Sequence, residues 1–406
     1  MQSRRALMSA ALSALSGLRV LEIPGPYGQY AGKLLADQGA EVVLVEPPGG
    51  AATRRAAPYV ADEPGPDTSL AFAYYNANKR SIVLDLDAEE GRVAFRALAA
   101  SYDVVLDGSG VVGNLDALGL GYDQLSALRP ELVMTVVTPF GTDGPYADHQ
   151  ATDLVLMALG GLLGLGGYAD GIPTRAYGDQ ALLAAAQFAA VGTMLAVLQA
   201  ERTGRGQLVD VSAQEAVVMA HENAVQWYAL EHVDRRRNGG EARQAAVGVY
   251  PCRDGHVYLL AKGLGVFWDE LVGWLEAEGV EGAASLRDPK WKDDAYNSSD
   301  EGKAEFATIF GRFAMNRTKA ELYEAAKRAR LPLCPVNTPA DLIAGPQLAA
   351  RGYFVDVPHP PTGRTLRMPG TPFTLSACPR AETVPAPSPG AHTADVVGPL
   401  TLGAQS

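Results

Sequence analysis

Asn78-Lys79-Arg80-Ser81 stands directly before an apolar run, Ile82-Val83-Leu84-Asp85-Leu86. Two adjacent cations at the mouth of a strand in an α/β sheet are placed to meet an anion. Their chemistry is complementary: Lys brings a compact charge suited to phosphate, and Arg a planar fork that grips an oxyanion through two parallel hydrogen bonds. A second stretch, Gly108-Ser109-Gly110-Val111-Val112-Gly113, spells G-x-G-x-x-G after another apolar run. A dinucleotide site would also need a helix opening at the third glycine and an acid ending the next strand. Here Asn114 to Gly121 carries two more glycines and reads as a loop, and Glu131 precedes the next strand. A nicotinamide cofactor is therefore not expected. Cys252, Cys334 and Cys378 lie far apart without metal-ligand spacing, so no metal is expected either.

The elements that must position these residues show in the hydrophobic periodicity. Candidate strands are Arg19–Ile23, Glu41–Glu46, Ser81–Leu86, Asp103–Leu106 and Leu132–Val137. Helical spacing fills the intervals at Tyr30–Gln38, Ala88–Ser101 and Tyr122–Leu128. Such alternation predicts an α/β fold with a doubly wound parallel sheet. Gly49 to Pro66 reads as a long loop over the C-terminal edge of that sheet. Asp153–Leu163 and Gln180–Leu198 are apolar on most faces and predict buried helices. The second stops at Thr203-Gly204-Arg205-Gly206-Gln207, since paired glycines favour a helix end and a turn. A third helix, Ser212–Tyr228, is predicted with Ser212 as its cap. The character changes near residue 230. The expected organisation is a large domain over 1–229, a smaller α+β domain over 230–325, and a return to the large domain over 326–406.

With 406 residues, 47% hydrophobic and 20% charged, the chain is long enough for two well-buried cores. A net charge of −12 argues against nucleic acid or an anionic membrane surface as partner. It also sets a condition: an anionic ligand needs a local basic pocket against the global field. The cysteine usage predicts a reduced, cytoplasmic protein. Arg4-Arg5 followed by Ala6–Leu15 reads as an N-terminal helix or tail rather than a leader, and no membrane span is expected.

Leu34-Leu35-Ala36-Asp37-Gln38-Gly39-Ala40-Glu41-Val42-Val43, running into Val45-Glu46-Pro47-Pro48-Gly49-Gly50, combines with Asn78-Lys79-Arg80-Ser81 into a pattern found elsewhere. It resembles the class III coenzyme A transferases, the superfamily of formyl-CoA transferase, carnitine CoA-transferase and α-methylacyl-CoA racemase, with a benzylsuccinate branch. The resemblance covers nearly the whole chain. It implies a Rossmann-like CoA-binding domain, an interlocked dimer, and exchange of CoA between an acyl-CoA and a carboxylic acid acceptor. Coenzyme A is then a substrate, and no separate cofactor is implied. The resemblance assigns Lys79, with Asn78 and Arg80 beside it, to the phosphates and adenine end of CoA. It aligns Glu46 and Arg54 with the family's loop after the second strand, Arg54 as a ligand contact, and Phe140-Gly141 with a small turn after the fifth.

The family's nucleophile is an aspartate near the start of the long helix before T-G-R-G-Q, and Asp179 is the acidic residue in that stretch. Counted back without gaps, the family position falls near Leu182, three residues or about 4.5 Å along a helix from Asp179. Two readings follow. Either the helix entry differs and Asp179 attacks the thioester, or Asp179 is a plain helix cap and a paralogous partner chain supplies the carboxylate. The assembly is accordingly a homodimer or a heteromer. Asp107-Gly108-Ser109-Gly110 and Asp116 replace residues that in the family help hold the adenosine end. Racemisation is not expected: the racemases place a His beside the Asp here numbered Asp153, and His149 lies four residues earlier.

Overall fold

A computed structural model describes residues 13–65, 67–237, 239, 242–261, 267–378 and 382–403. The N-terminal stretch up to residue 12, read above as helix or tail, lies outside the described residues. In chain order the first elements are β1 (Arg19–Ile23), α1 (Gln29–Ala36), β2 (Glu41–Glu46), α2 (Leu70–Tyr75), β3 (Arg80–Val83), α3 (Glu89–Ala99), β4 (Val104–Asp107), α4 (Tyr122–Leu128) and β5 (Val133–Thr138). There follow α5 (Asp153–Leu159), α6 (Leu162–Leu165), α7 (Gln180–Thr203), β6 (Leu208–Ser212), α8 (Ala213–Val218) and α9 (Ala224–Glu231).

The six strands form one sheet in the order β3-β2-β1-β4-β5-β6, every neighbouring pair parallel. This is the order of doubly wound α/β folds, whose ligands gather at the C-terminal ends of the strands. Alternate residues feed opposite layers, as the period of two requires. Val20, Val42, Val104 and Val133 pack with Leu35 of α1 and the alanines of α7. Leu21, Val43, Ile82, Val105 and Met134 pack with Phe95 of α3 and Leu125 of α4. Burial on both faces explains why the strands read as unbroken apolar runs.

β6 is absent from the expectation above. Its five residues lie between the glycine turn and a helix start, and its first three are partly or wholly exposed, so it carries little apolar signal. Ser212 ends it and caps α8, its Oγ accepting from the Glu215 amide at 3.2 Å. The expected single helix from Ser212 is broken into α8 and α9 by a short 3₁₀ turn at Met219–His221. The glycines ahead of β6 have separate jobs. Gly204 ends α7 in a left-handed conformation, φ +69°. Gly206 passes so close to the chain before β5 that a Cβ would lie 1.8 Å from the Leu132 carbonyl oxygen.

α7 departs from the expectation of a buried helix. It is 24 residues long with a mean hydropathy of 2.0 over its most apolar window, enough in length and composition to span a bilayer. Its alanine face, Ala181, Ala185, Ala189 and Ala196, packs in the core of the large unit. The opposite face exposes Phe188, Val191, Leu195 and Leu198, with Leu195 63% exposed.

The chain divides into two compact units. The larger holds residues up to Gly164, Arg175–Arg235 and Ala349 onward, and includes the antiparallel hairpin of β10 (Phe354–His359) and β11 (Arg364–Pro369). Its last helix, Thr393–Gly403, brings Val396 and Val397 against the α3 layer. The smaller unit, Leu165–Thr174 with Arg236–Leu348, has an antiparallel sheet of β7 (Val247–Cys252), β8 (Gly255–Leu260) and β9 (Leu333–Pro335). Its core is aromatic, with Trp291, Phe306 and Phe310 fully buried. Because β9 pairs with β8, this unit runs past residue 325, where the sequence reading places the return to the large domain.

Gly204→Ala should cost about 1 kcal/mol, the strain of a left-handed alanine. Gly206→Ala should cost roughly 3 kcal/mol, because the backbone itself must move. Urea denaturation of both variants checks this, and similar small losses would contradict the packing described.

Candidate active site

Lys79 and Arg80 do not face one anion together. Strand alternation sends them to different sides, and both are already engaged. The Lys79 side chain is fully buried, 2.8 Å from Glu22 Oε2. Its ammonium donates to Glu22 Oε1 at 2.9 Å, the Gln29 carbonyl at 2.8 Å and Asn76 Oδ1 at 3.0 Å. Three acceptors saturate an ammonium. Burial pushes the Glu22 carboxyl up to about 7 against the opposing pull of Lys79, and burial lowers the lysine. Arg80 is one-third exposed and pairs with Glu41 at 2.7 Å.

Glu46 and Arg54 form a second buried pair. The guanidinium grips both carboxylate oxygens, at 2.7 Å each, stacks 4.1 Å over the Phe72 ring and donates to the Pro387 carbonyl at 2.9 Å. Glu46 also accepts from the Ala51 amide at 2.8 Å and Ser81 Oγ at 2.5 Å. Burial pushes its carboxyl up, but these donors together hold it below its ordinary value. Asn78 is a clamp: its backbone and side chain bond both ways with Val384, and its Nδ2 donates to Asp37. These groups, expected at a ligand, are each engaged by other residues of the chain. The exposed cation of the β2 loop is the neighbouring Arg55.

Phe140 and Gly141 follow β5 at its C-terminal end. Phe140 meets Tyr146 and His149 edge-on, at 5.7 and 6.3 Å. The Gly141 amide donates to Thr138 Oγ1 at 2.9 Å, and the next residue, Thr142, donates to Asp210 from both amide and hydroxyl. The turn is fixed by its own bonds.

Asp179 stands one residue ahead of α7, exposed, and its side chain makes no capping bond. The amides at that helix start go to another residue. Asp153 Oδ1 accepts from the Ala181 amide at 2.7 Å and the Leu182 amide at 3.4 Å. Asp153 is only 6% exposed, its Oδ2 has no hydrogen-bond partner among the described residues, and Arg175 stands 4.0 Å away. Burial raises its carboxyl; the two amides oppose this and the charge of Asp179 adds to it. The charge of Asp179 is felt at Tyr75, and that of Asp153 at Tyr27. Both phenols are pushed up to about 12, chiefly by burial and then by these carboxylates. Tyr27 OH is held by the Ala151 carbonyl at 2.7 Å. Leu182, where the ungapped count points, packs in the first turn of α7 against the large core.

The structure thus gathers Asp179, Asp153, Arg175, Tyr27 and Tyr75, all but Asp179 absent from the predicted site. Asp153 is read above as a helix N-terminal residue, which it is for α5, while its side chain serves α7. One sequence signal marks Arg175: it is the sole Lys or Arg between Arg129 and Arg202. An exposed carboxylate beside helix amides that another carboxylate already occupies is free to act as a nucleophile.

Lys79→Met should cost roughly 3–5 kcal/mol, since it leaves Glu22 buried and unpaired. Adding Glu22→Gln should recover most of that loss. A denaturation double-mutant cycle reads the coupling, and additive losses would refute the pairing.

Comparison with known proteins bears on the whole chain. The sequence model described as CoA-transferase family III matches residues 15–393. The chain is 41% identical, over 94% of its own length and 93% of the other's, to the succinyl-CoA:(R)-benzylsuccinate CoA-transferase subunit BbsE of Thauera aromatica. It is 31% identical, over 94% and 92%, to the succinyl-CoA–D-citramalate CoA-transferase of Chloroflexus aurantiacus. The crystal structure of a CAIB/BAIF family protein from Brucella suis superposes with a TM-score of 0.80 at 27% identity, covering 96% of this chain and 99% of that one. The α/β sheet, the glycine turn and the full-length matches agree, and the chain belongs to CoA-transferase family III.

Proposed function

We propose that this protein moves coenzyme A from an acyl-CoA to a carboxylic acid, with Asp179 as the nucleophile. The observation that carries this reading is the division of labour at the start of α7: Asp153 takes the helix amides, and the Asp179 carboxylate is left exposed without a capping bond among the described residues. In the first step Asp179 attacks the thioester carbonyl, forming a mixed anhydride and releasing CoA thiolate. The thiolate then attacks the aspartyl carbonyl, giving an aspartyl-CoA thioester and freeing the donor acid. The acceptor carboxylate repeats both steps in reverse, and CoA leaves on the new acyl group with Asp179 restored. CoA enters as a substrate, and the scheme draws on no further cofactor. The relatives use succinyl-CoA as donor by name, and a succinyl donor is the first candidate here.

Phe188, Val191, Leu195 and Leu198 line one exposed apolar face of α7, the kind of surface that a partner covers. An interlocked pair of chains would cover it and shut water from the anhydride. A second reading has one specific support, that the 41% identical relative is a subunit of its enzyme. In that case the partner is a paralogous chain carrying its own aspartate.

Mass spectrometry after incubation with succinyl-CoA and hydroxylamine should show a hydroxamate on the peptide bearing Asp179. Asp179→Asn should remove the label and lower transfer by at least about 1,000-fold. A folded, CoA-binding chain that stays unlabelled alone but becomes active when a paralogous chain is added would replace the first reading with the second.

A further inference from the structure

The site has a charge problem. Asp179 and Asp153 stand together in a chain of net charge −12, and every acid that enters as substrate is itself an anion. A second carboxylate on the acyl chain makes entry harder still unless a cation meets it. We infer that Arg175 is the residue that recognises a second, distal carboxylate on the substrate, and so selects dicarboxylic over monocarboxylic acyl groups. This rests on the reading of Asp179 as the acylated residue.

Three observations point to Arg175. It is the sole Lys or Arg in the sequence between Arg129 and Arg202, a stretch that holds Asp153, Asp179 and the whole of α7's apolar body. Its side chain is 47% exposed and makes no hydrogen bond among the described residues; its one ionic contact, to Asp153 Oδ2, is 4.0 Å long. That oxygen is buried and has no hydrogen-bond partner. The pair therefore leaves a guanidinium fork largely unspent beside an oxygen that positions it without saturating it. The other conspicuous cations are already committed: Lys79 to Glu22, Arg54 to Glu46, Arg80 to Glu41. A guanidinium binds a carboxylate through two parallel bonds at a fixed angle, which a methyl group of the same size cannot reproduce. Arg175 lies four residues before Asp179, in the segment that leads into α7, and its guanidinium stands 4.0 Å from the carboxylate that holds the first amides of that helix.

Succinyl-CoA and butyryl-CoA have four-carbon acyl groups that differ only in a terminal carboxylate or methyl. Their dissociation constants are measured by calorimetry on the Asp179→Asn protein, which blocks acyl transfer, with and without Arg175→Gln. The expected result is a preference for succinyl-CoA that falls by about 10- to 100-fold in the Arg175→Gln protein, the range for losing hydrogen bonds to a charged group. Butyryl-CoA should bind both proteins alike, and Arg175→Lys should restore part of the preference. Equal weakening of both thioesters, or an unchanged ratio, overturns the assignment. Binding is read without turnover, so a failure of hydroxylamine to label Asp179 in the unaltered protein would sink the catalytic reading and leave this result intact.

Discussion

The start of α7 offers a small set of free amides and a partial positive charge, and two carboxylates stand within reach of it. A helix N-terminus stabilises one anion well. Asp153 comes from the far side, out of α5, and its Oδ1 takes the Ala181 and Leu182 amides. That bond seats α5 on α7 and fixes where the long helix begins. It also decides the state of Asp179, which is left outside the helix with its carboxylate in solvent. Had Asp179 capped its own helix, its oxygens would be spent on backbone. Position in the chain makes Asp179 the cap, whereas hydrogen bonding makes Asp153 the cap.

The two buried ion pairs show what a sequence does and does not reveal about charge. Lys79 and Arg54 stand in surroundings that read as ligand sites: a strand mouth and a glycine-rich loop. Nothing in one-dimensional spacing tells how deep a side chain lies. Glu22 alternates into the α1 layer because β1 has a period of two, and burial there is tolerable only with Lys79 beside it. Arg54 folds back eight residues to meet Glu46. Such pairs are weak sources of stability but demanding ones of geometry. They set the loops after β1 and β2, and with them the placement of Tyr27 and α2.

Much of the architecture was legible. β1, β2 and α4 lie where the periodicity puts them, and β3, β4 and β5 shift only at their ends, where fraying apolar edges carry no marker. The strands on the margins were not legible: β6 is half exposed, and β10 and β11 pair only with each other, so neither has the double-sided burial that makes a strand stand out. α7 misleads for the opposite reason. Its composition is apolar all round, and composition alone cannot separate a face packed on the sheet from a face awaiting another surface. Around the start of α7, Asp179 stands out by its position in the chain, whereas Asp153, Tyr27, Tyr75 and Arg175 come from four separate segments that no spacing in the sequence connects.

β3 is the edge strand of the sheet, and the chain's last segment finishes it. The Ser81 amide donates to His392 Nδ1 at 3.2 Å, and the Val83 amide to Thr393 Oγ1 at 3.0 Å. Ser81 Oγ accepts from the Gly390 amide at 2.8 Å, and Pro387 receives Arg54. The contacts join residues about three hundred positions apart, so during synthesis on the ribosome this side of the sheet must wait with an open edge until residues 387–393 have emerged. An unpaired strand edge is a template for wrong pairing. The protein's vulnerable interval is therefore its own translation, and a chain interrupted before residue 387 would hold all six strands of a sheet that is still unsealed.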